Sequence, residues 1–506
     1  MAALIRSPRP STNFNSEATN QLDHSQNGSR SRARRSLYAR SRPGWLRSFL
    51  ALALIVALGV LGLAVWRAVG LVRATTGSGN PLSELAKATG AEPGTIPYKL
   101  QHGQRVNLLL LGYGGAENDA PWLTDSIMVL SIDPSSHRAV EVSIPRDLMV
   151  PIDAFSDHRA FTNKINVAYE VGMDDAGWAG KSSQFRAATS PDAGGRLAEQ
   201  TVTNLTGLHF DGFVGVDFLA FRDLVNALGG VQICLSGPLD DYQYPNYKDG
   251  YVKGGIHFPS GCQQVNGEQA LELARSRHAV QSAAATDFAR AARQRQLLDA
   301  IRSKAASLGA IRRAPALMSA LQKNFITDLG LADLNALYSY SSKLSAAAIT
   351  SAALTDSNLT APYYEQPGSC GPWGEYVLCA IDPSFANIKQ YFAHLIVDPK
   401  VLAEQAPVQL VNASQTLPDM AQRVGQALTP LGFKLAPPIR GRTSPQSVVY
   451  DYSGGRYPLT ARWLASYFQA SVVVASSASP ASVPGADQSG LVVVLGHDFA
   501  LHWIGQ

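Results

Sequence analysis

RVNLLLLG, residues 105–112, decides how this 506-residue chain is read. A continuous apolar run closed by a glycine fits a strand buried on both faces of a sheet. SIMVLSID (126–133) and AVEVSIP (139–145) follow, joined by Pro134-Ser135-Ser136-His137, a turn suited to a hairpin. Helical periodicity then takes over in NKINVAYEVG (163–172), GGRLAEQTVTNLTG (194–207), DFLAFRDLVNALGG (217–230), NGEQALELAR (266–275) and TDFARAARQRQLLDAIRSKAASLG (286–309). Gly229-Gly230 is a helix stop, and Thr286 or Asp287 a helix cap. Strands alternating with helices predict an α/β fold, a central mixed sheet with helices on both faces.

Further along, DPKVLAEQAP (398–407) breaks the pattern. PVQLVNAS, FKLA, SVVYDYSG and LVVVLGHDF then read as strands, TLPDMAQRVGQALTPLG and PLTARWLASYF as helices, with a Ser/Ala/Pro-rich loop at 476–490. That predicts a small carboxy-terminal α/β domain over 407–500, joined by a linker at 398–406 to a first domain at 97–397.

Before the first domain the chain changes character. Residues 1–47 carry Arg6, Arg9, Arg30, Arg32, Arg34, Arg35, Arg40, Arg42 and Arg47 against Glu17 and Asp23, and read as a disordered basic tail. SFLALALIVALGVLGLAVW (48–66) has no charge, and as a helix it rises about 28 Å, close to the bilayer's hydrocarbon thickness. The expectation is one transmembrane helix at 48–69, too long and too far from the start for a cleaved signal peptide. The arginine excess places the tail in the cytoplasm and the body outside, after a stalk at 70–96. The tail is then an orientation signal and a partner for anionic lipid, and no nucleic-acid partner is expected.

Four cysteines suit an oxidising compartment. Cys370 and Cys379 bracket a Gly-Pro-Trp-Gly hairpin, and Cys234 and Cys262 flank a Tyr-, Pro- and Gly-rich excursion, so two disulfides are expected with those pairings. A zinc site lacks both CxxC spacing and clustered histidines.

VSIPRDLMVP (142–151) sets an Arg-Asp pair after an apolar strand. Burying such a pair costs more than it returns, so both residues belong at a strand's end facing water or an anion. Only 16% of the chain is charged, yet three clusters stand out. They are Asp125 in LTDSI, Arg146 and Asp147 in IPRDL, and Arg275, Arg277, Arg290, Arg293 and Arg295 in ARSRH and DFARAARQRQ. Helical spacing puts Arg290 and Gln294 on one face, with Asp287 a turn earlier. Arg293, Arg295 and Arg302 read as a solvated helix face. Several arginines with a few aspartates suit a diphosphate and a Mg²⁺ ion, the inventory of phosphoryl transfer. A Walker-type loop, a GxSxG elbow and HExxH are absent.

In order, NLLLLG, LTDSIMVLSIDP, VSIPRDLMV, NKIN, LVNALGGV, GEQALELARSR and DFARAARQRQ resemble the LytR-CpsA-Psr family over about residues 105–305. Residues 407–499 are similar to the LytR-type carboxy-terminal domain. The resemblance implies a phosphotransferase moving a glycopolymer from a polyprenyl-diphosphate carrier onto cell-wall peptidoglycan, with Mg²⁺. It implies Asp125 at the metal, Arg146 at the diphosphate, and Arg275, Arg277, Arg290 and Gln294 in the anion clamp. Asp147, Lys164 and Asn166 fall in matching motifs as contacts or supports, with Asp147 and Asp125 the candidate general bases. Where the family commonly has an aspartate after the first strand, Tyr113 stands here, so that either the metal makes do with Asp125 and water or Asp119, or Glu117, reaches in as a second ligand. The alternatives are a non-catalytic lipid-diphosphate or wall-binding scaffold, and a transcription regulator, for which no helix-turn-helix signal is present.

Overall fold

The structure is a computed structural model. It describes residues 92–115, 121–153, 160–173, 192–246, 250–276, 278–282, 284, 293, 296–297, 300–301, 304, 325–341, 343–344, 348–363, 370, 377–475, 483, 485–486 and 489–505. All of these lie within one compact unit, Pro43–Gln506. The basic tail, the apolar stretch and nearly all of the stalk fall outside the described residues; among those described, no helix is long and apolar enough to cross a membrane.

A six-stranded mixed sheet organises the first part. It comprises β1 (Val106–Tyr113), β2 (Thr124–Asp133), β3 (Arg138–Ile144), β6 (Gly212–Asp217), β11 (Phe325–Thr327) and β12 (Ile349–Ala353), in the order β11-β6-β1-β2-β3-β12. β1, β2 and β3 form an antiparallel meander, while β6 runs parallel to β1 and β12 parallel to β3. The β2–β3 turn is the expected one, with Asp133 accepting from the backbone of Ser135 and the hydroxyl of Ser136.

β1 is apolar throughout because both its faces are covered. Leu109, Leu111 and Tyr113 face a core shared with the helices Val167–Met173, Ala193–Thr206 and Ala386–Ala393. Leu108 and Leu110 face the other way, with Leu334, Leu337 and Tyr340 of the helix Leu331–Ser341. This is the period-two alternation of a strand between two layers.

Smaller pairs dress this sheet: β4 (Met149–Ile152) with β5 (Phe161–Lys164), β7 (Val231–Leu235) with β10 (Gly261–Val265), β8 (Leu239–Asp241) with β9 (Ile256–Phe258), and β13 (Thr360–Pro362) with β14 (Leu378–Ala380). Both expected disulfides are present, Cys234–Cys262 across β7 and β10 and Cys370–Cys379 into β14.

After the helix Pro399–Ala403 a second sheet forms from β15 (Pro407–Asn412), β16 (Lys434–Arg440), β17 (Val448–Asp451), β18 (Ser471–Val474) and β19 (Leu491–Leu495), ordered β16-β15-β19-β17-β18. β18 and the closing helix His497–Trp503 are additions to the sequence reading. The second sheet is packed onto the first part through the helix Ala386–Ala393. Ile388, Tyr391 and Phe392 share one core with Tyr467 and Trp503, and Asn387 Nδ2 donates to Trp503 O at 2.9 Å.

Candidate functional site

Register brings the charged clusters to one edge of the large sheet. Tyr113, the last residue of β1, pairs with Thr124 at the start of β2 and with Asp217 at the end of β6. Ile127 pairs with Ile144, so β3 also exits there, two residues before Arg146. A β-bulge sharpens the placement. Gly112 pairs with Ser126 and Tyr113 with Thr124, which leaves Asp125 as the extra, unpaired residue. Bulges re-aim side chains in this way, and Asp125 turns out to solvent between a buried Thr124 and a partly buried Ser126.

Four charges of alternating sign line this edge. Arg146 Nη1 donates to Asp125 Oδ1, Arg146 Nε lies 3.5 Å from Asp147 Oδ2, and Lys164 Nζ lies 3.3 Å from Asp147 Oδ1. Partial burial alone depresses the Arg146 guanidinium's pKa, but Asp125 and then Asp147 outweigh it and hold the pKa above its ordinary value. Arg146 and Asp125 remain 44% and 48% exposed, and pairs this wet contribute only about 0.2–1 kcal/mol. An incoming anion can therefore replace Asp125 as the partner of Arg146 with little loss of stability.

The backbone beneath the row is fixed. Leu148 N donates to Pro145 O, Asn166 N to Arg146 O, Ile165 N to Leu148 O and Leu378 N to Asp147 O. The carbonyl of Asn166 accepts from both the N–H and the hydroxyl of Thr124. Asn166 is itself buried, and its Oδ1 has no partner among the described residues.

Arg275 reaches the same edge from another direction. It ends the helix Gly267–Arg275, which Asn266 and Gln269 start with a capping box. Its Cζ lies 4.6 Å from the ring of Phe218, the residue after Asp217, and 5.6 Å from the ring of Tyr244. Both are cation–π distances. From the end of β6 to the end of β3 is three strand spacings, about 14 Å, so Arg275, against Phe218 past β6, and Arg146, past β3, belong to strand ends of the same edge.

Two buried charges pin the loop that carries Arg275. Asp241 is fully buried and accepts from Ser276 Oγ at 2.7 Å, His278 N at 3.1 Å and Gln243 N at 3.0 Å. Arg293 is the correction. It is 6% exposed, not a solvated helix face, and it donates to the carbonyls of Leu273 (3.0 Å), Ser276 (2.9 Å) and Ala284 (2.8 Å). It satisfies carbonyls at the end of one helix, which would otherwise be left without donors.

Tyr113 forms a wall here. It is buried, 5.1 Å from the Tyr169 ring and 5.6 Å from Trp122. Burial first, then Tyr169 and Asp217, push its phenol pKa far up, so it stays neutral. Asp217 is a site-edge residue that sequence reasoning missed. It caps the helix Phe218–Ala227 through Ala220 N at 2.7 Å, and burial pushes its pKa up to about 6. Gly115, at φ +83°, lies so close that an added Cβ would sit 2.8 Å from Asp217 Oδ2. The signal was an aspartate between a strand and a helix, in register with Tyr113.

Among the described residues no group of three or more His, Cys, Asp or Glu is arranged to hold a metal. Asp125 offers one exposed carboxylate of the kind Mg²⁺ takes, the ion completing its shell with phosphate oxygens and water. Asp119, Glu117, Arg277, Arg290, Gln294 and Arg295 lie outside the described residues. In the second sheet, Asp498 accepts from Ser447 N and Oγ, which accounts for the polar pair after β19.

A sequence profile described as the LytR_cpsA_psr family matches residues 74–368, more than half of the chain. The chain belongs to this family. A second profile, described as LytR cell envelope-related transcriptional attenuator, matches residues 405–499 of this LytR_cpsA_psr protein. An Oceanobacillus iheyensis protein named polyisoprenyl-teichoic acid–peptidoglycan teichoic acid transferase TagU is 30% identical over 309 residues, 61% of this chain and 84% of that one. A Bacillus cereus protein of the same name is 27% identical over 236 residues, 47% of this chain and 64% of its own length, just under two thirds. The crystal structure of B. subtilis TagV is 23% identical, covering 58% of this chain and 97% of that one, with a TM-score of 0.38.

Proposed function

We propose that this LytR_cpsA_psr protein is a phosphotransferase that moves a glycopolymer from a polyprenyl-diphosphate carrier to a hydroxyl of cell-wall peptidoglycan. The observation that carries the reading is Arg146, aimed from a fixed strand exit and held by a carboxylate it can exchange for a phosphate. Family membership and the names of the relatives support the same chemistry.

In this reading the diphosphate lies along the sheet edge between Arg146 and Arg275, with Arg277, Arg290 and Gln294 completing the clamp and Lys164 and Asn166 supporting it. Guanidinium forks bind phosphoryl oxygens in pairs and stabilise charge that builds in the transition state. The acceptor oxygen attacks the phosphorus that bears the glycan, the bridging P–O bond breaks, and polyprenyl phosphate leaves. Asp147 or Asp125 takes the acceptor's proton on a carboxylate oxygen. Asp125 would hold Mg²⁺, with Asp119 as a further ligand, which leaves the proton to Asp147, and the bound ion would supply neutralisation of the diphosphate charge. We place the body outside the cell, anchored by residues 48–69 with the tail in the cytoplasm.

The test uses the full chain in detergent with a polyprenyl-diphosphate oligosaccharide and a muramic-acid-containing acceptor. Mg²⁺-dependent appearance of the phosphodiester-linked product supports the reading. Tight lipid binding without transfer to any acceptor supports the scaffold instead.

A further inference from the structure

Among the described residues, six large apolar side chains are exposed. Three are the valines of β18; the other three, Tyr242, Tyr251 and Val280, gather on one arm beside the arginine loop. Single exposed apolar residues are ordinary, but three on one short arm ask for a partner.

The arm is rigidly built. β8 and β9 pair Asp240 with His257 and Asp241 with Ile256, and beyond them Pro245 pairs with Tyr251. His257 is fixed at both ring nitrogens, Nδ1 2.8 Å from Asp240 Oδ1 and Nε2 2.7 Å from Gly254 O. Tyr242 meets that imidazole edge-on, with centroids 5.2 Å apart. Gly255, at φ +77°, lets the turn pass beneath Tyr242, where an added Cβ would sit 2.9 Å from the Tyr242 Cα. Tyr244 points inward to Arg275, while Tyr242 and Tyr251 stay 56% and 58% exposed.

Position limits what the rings can meet. Asp241, next to Tyr242, is the carboxylate that bonds Ser276 and His278, and Val280 N donates to Asp240 O at 2.8 Å. The exposed aromatic surface therefore continues directly from the loop of Arg275. Pro245, opposite Tyr251, is three residues from Tyr242, a chain reach of at most about 11 Å. Charges on the arm are mixed, Asp240 against Lys253 and His257, which makes it a poor basic patch for anionic lipid.

We propose that Tyr242 and Tyr251 form an acceptor subsite that holds pyranose rings of a peptidoglycan glycan strand beside the diphosphate clamp. This rests on the phosphotransferase reading above. A pyranose presents an apolar C–H face that stacks on an aromatic ring, while its hydroxyl and acetamido groups bond polar neighbours such as Asp240. An open platform suits a polymer lying across it. The lipid of the donor needs an enclosed apolar surface and its diphosphate needs clustered cations, whereas this arm is open and its charges are mixed.

The test measures sedimentation of the full chain, in detergent, with insoluble peptidoglycan, and separately its affinity for a polyprenyl-diphosphate glycan and for anionic vesicles. The double variant Tyr242→Ala/Tyr251→Ala is expected to bind peptidoglycan at least tenfold more weakly, with donor affinity unchanged. Tyr242→Phe/Tyr251→Phe keeps the rings and is expected to stay within twofold of wild type. Wild-type peptidoglycan affinity in the alanine variant overturns the proposal, as does a loss confined to the donor or to vesicles. If the wild-type chain binds the donor but not peptidoglycan, the acceptor assignment in the proposed function fails, and this subsite fails with it.

Discussion

Asp125 and Arg146 meet as an ion pair at the open end of the large sheet, one from a bulge in β2 and the other two residues past β3, and each stays nearly half exposed. A pair this wet adds little to stability. This one keeps a guanidinium charged, oriented and replaceable.

Asp125→Asn accordingly separates stability from activity. The exposed pair contributes less than about 1 kcal/mol, so the denaturation midpoint is expected to stay close to wild type. Turnover is expected to fall by about 10²-fold, the usual scale for removing one electrostatic group from such a site. Urea unfolding and initial-rate kinetics on the same preparation check both halves.

Arg293→Met gives the opposite pattern. It removes the donor to three carbonyls, those of Leu273, Ser276 and Ala284, in a buried position. Each carbonyl left without a partner costs about 1–3 kcal/mol, so the loss is expected to exceed about 3 kcal/mol. Equilibrium denaturation measures it. Arg293→Lys restores the charge without the fork and is expected to recover only part of the loss.

Stability should also depend on pH through Glu199. Burial, then the neighbouring Asp328, pushes its pKa up to about 8, and its Oε1 has no partner among the described residues. The unfolded value is about 4.3, so between the two the native state holds a proton that the unfolded state has lost. Stability from this group is therefore expected to fall as pH rises through that window and to level off above it. Glu199→Gln should flatten that slope, as read from unfolding midpoints at stepped pH.

Trp503 ties the closing helix into the shared core. It is fully buried, and its carbonyl accepts from Asn387 of the first part. Trp503→Ala is expected to cost about 3–5 kcal/mol and to lower one common transition, with no separate early unfolding of the second sheet. Calorimetry decides between the two.

Much of this was legible beforehand. β1 announced itself through a continuous apolar run and β2 and β3 through β-branched stretches joined by a short turn, and Pro145-Arg146-Asp147 marked a strand end because a charged pair has no place inside a sheet. The helix Phe218–Ala227 came with its glycine stop. β18 was missed because four residues, all exposed, carry no periodicity, and the closing helix because seven residues after a strand read as that strand's tail. Arg293 was misread for a different reason. Helical spacing shows which residues share a face but not which face is covered, and its partners lie 9 to 20 residues away in the chain. Asp217 escaped because its role depends on a neighbour in another strand, which only register reveals.

The proposed chemistry centres on Arg146. Single-turnover release of polyprenyl phosphate from a labelled lipid-diphosphate glycan would be followed in wild type, Arg146→Lys and Arg146→Ala, with folding verified for each. Release is expected to fall by at least about 10²-fold in Arg146→Ala, with Arg146→Lys between it and wild type, because a point charge replaces only part of a guanidinium fork. Release at the wild-type rate from folded Arg146→Ala would contradict that chemistry.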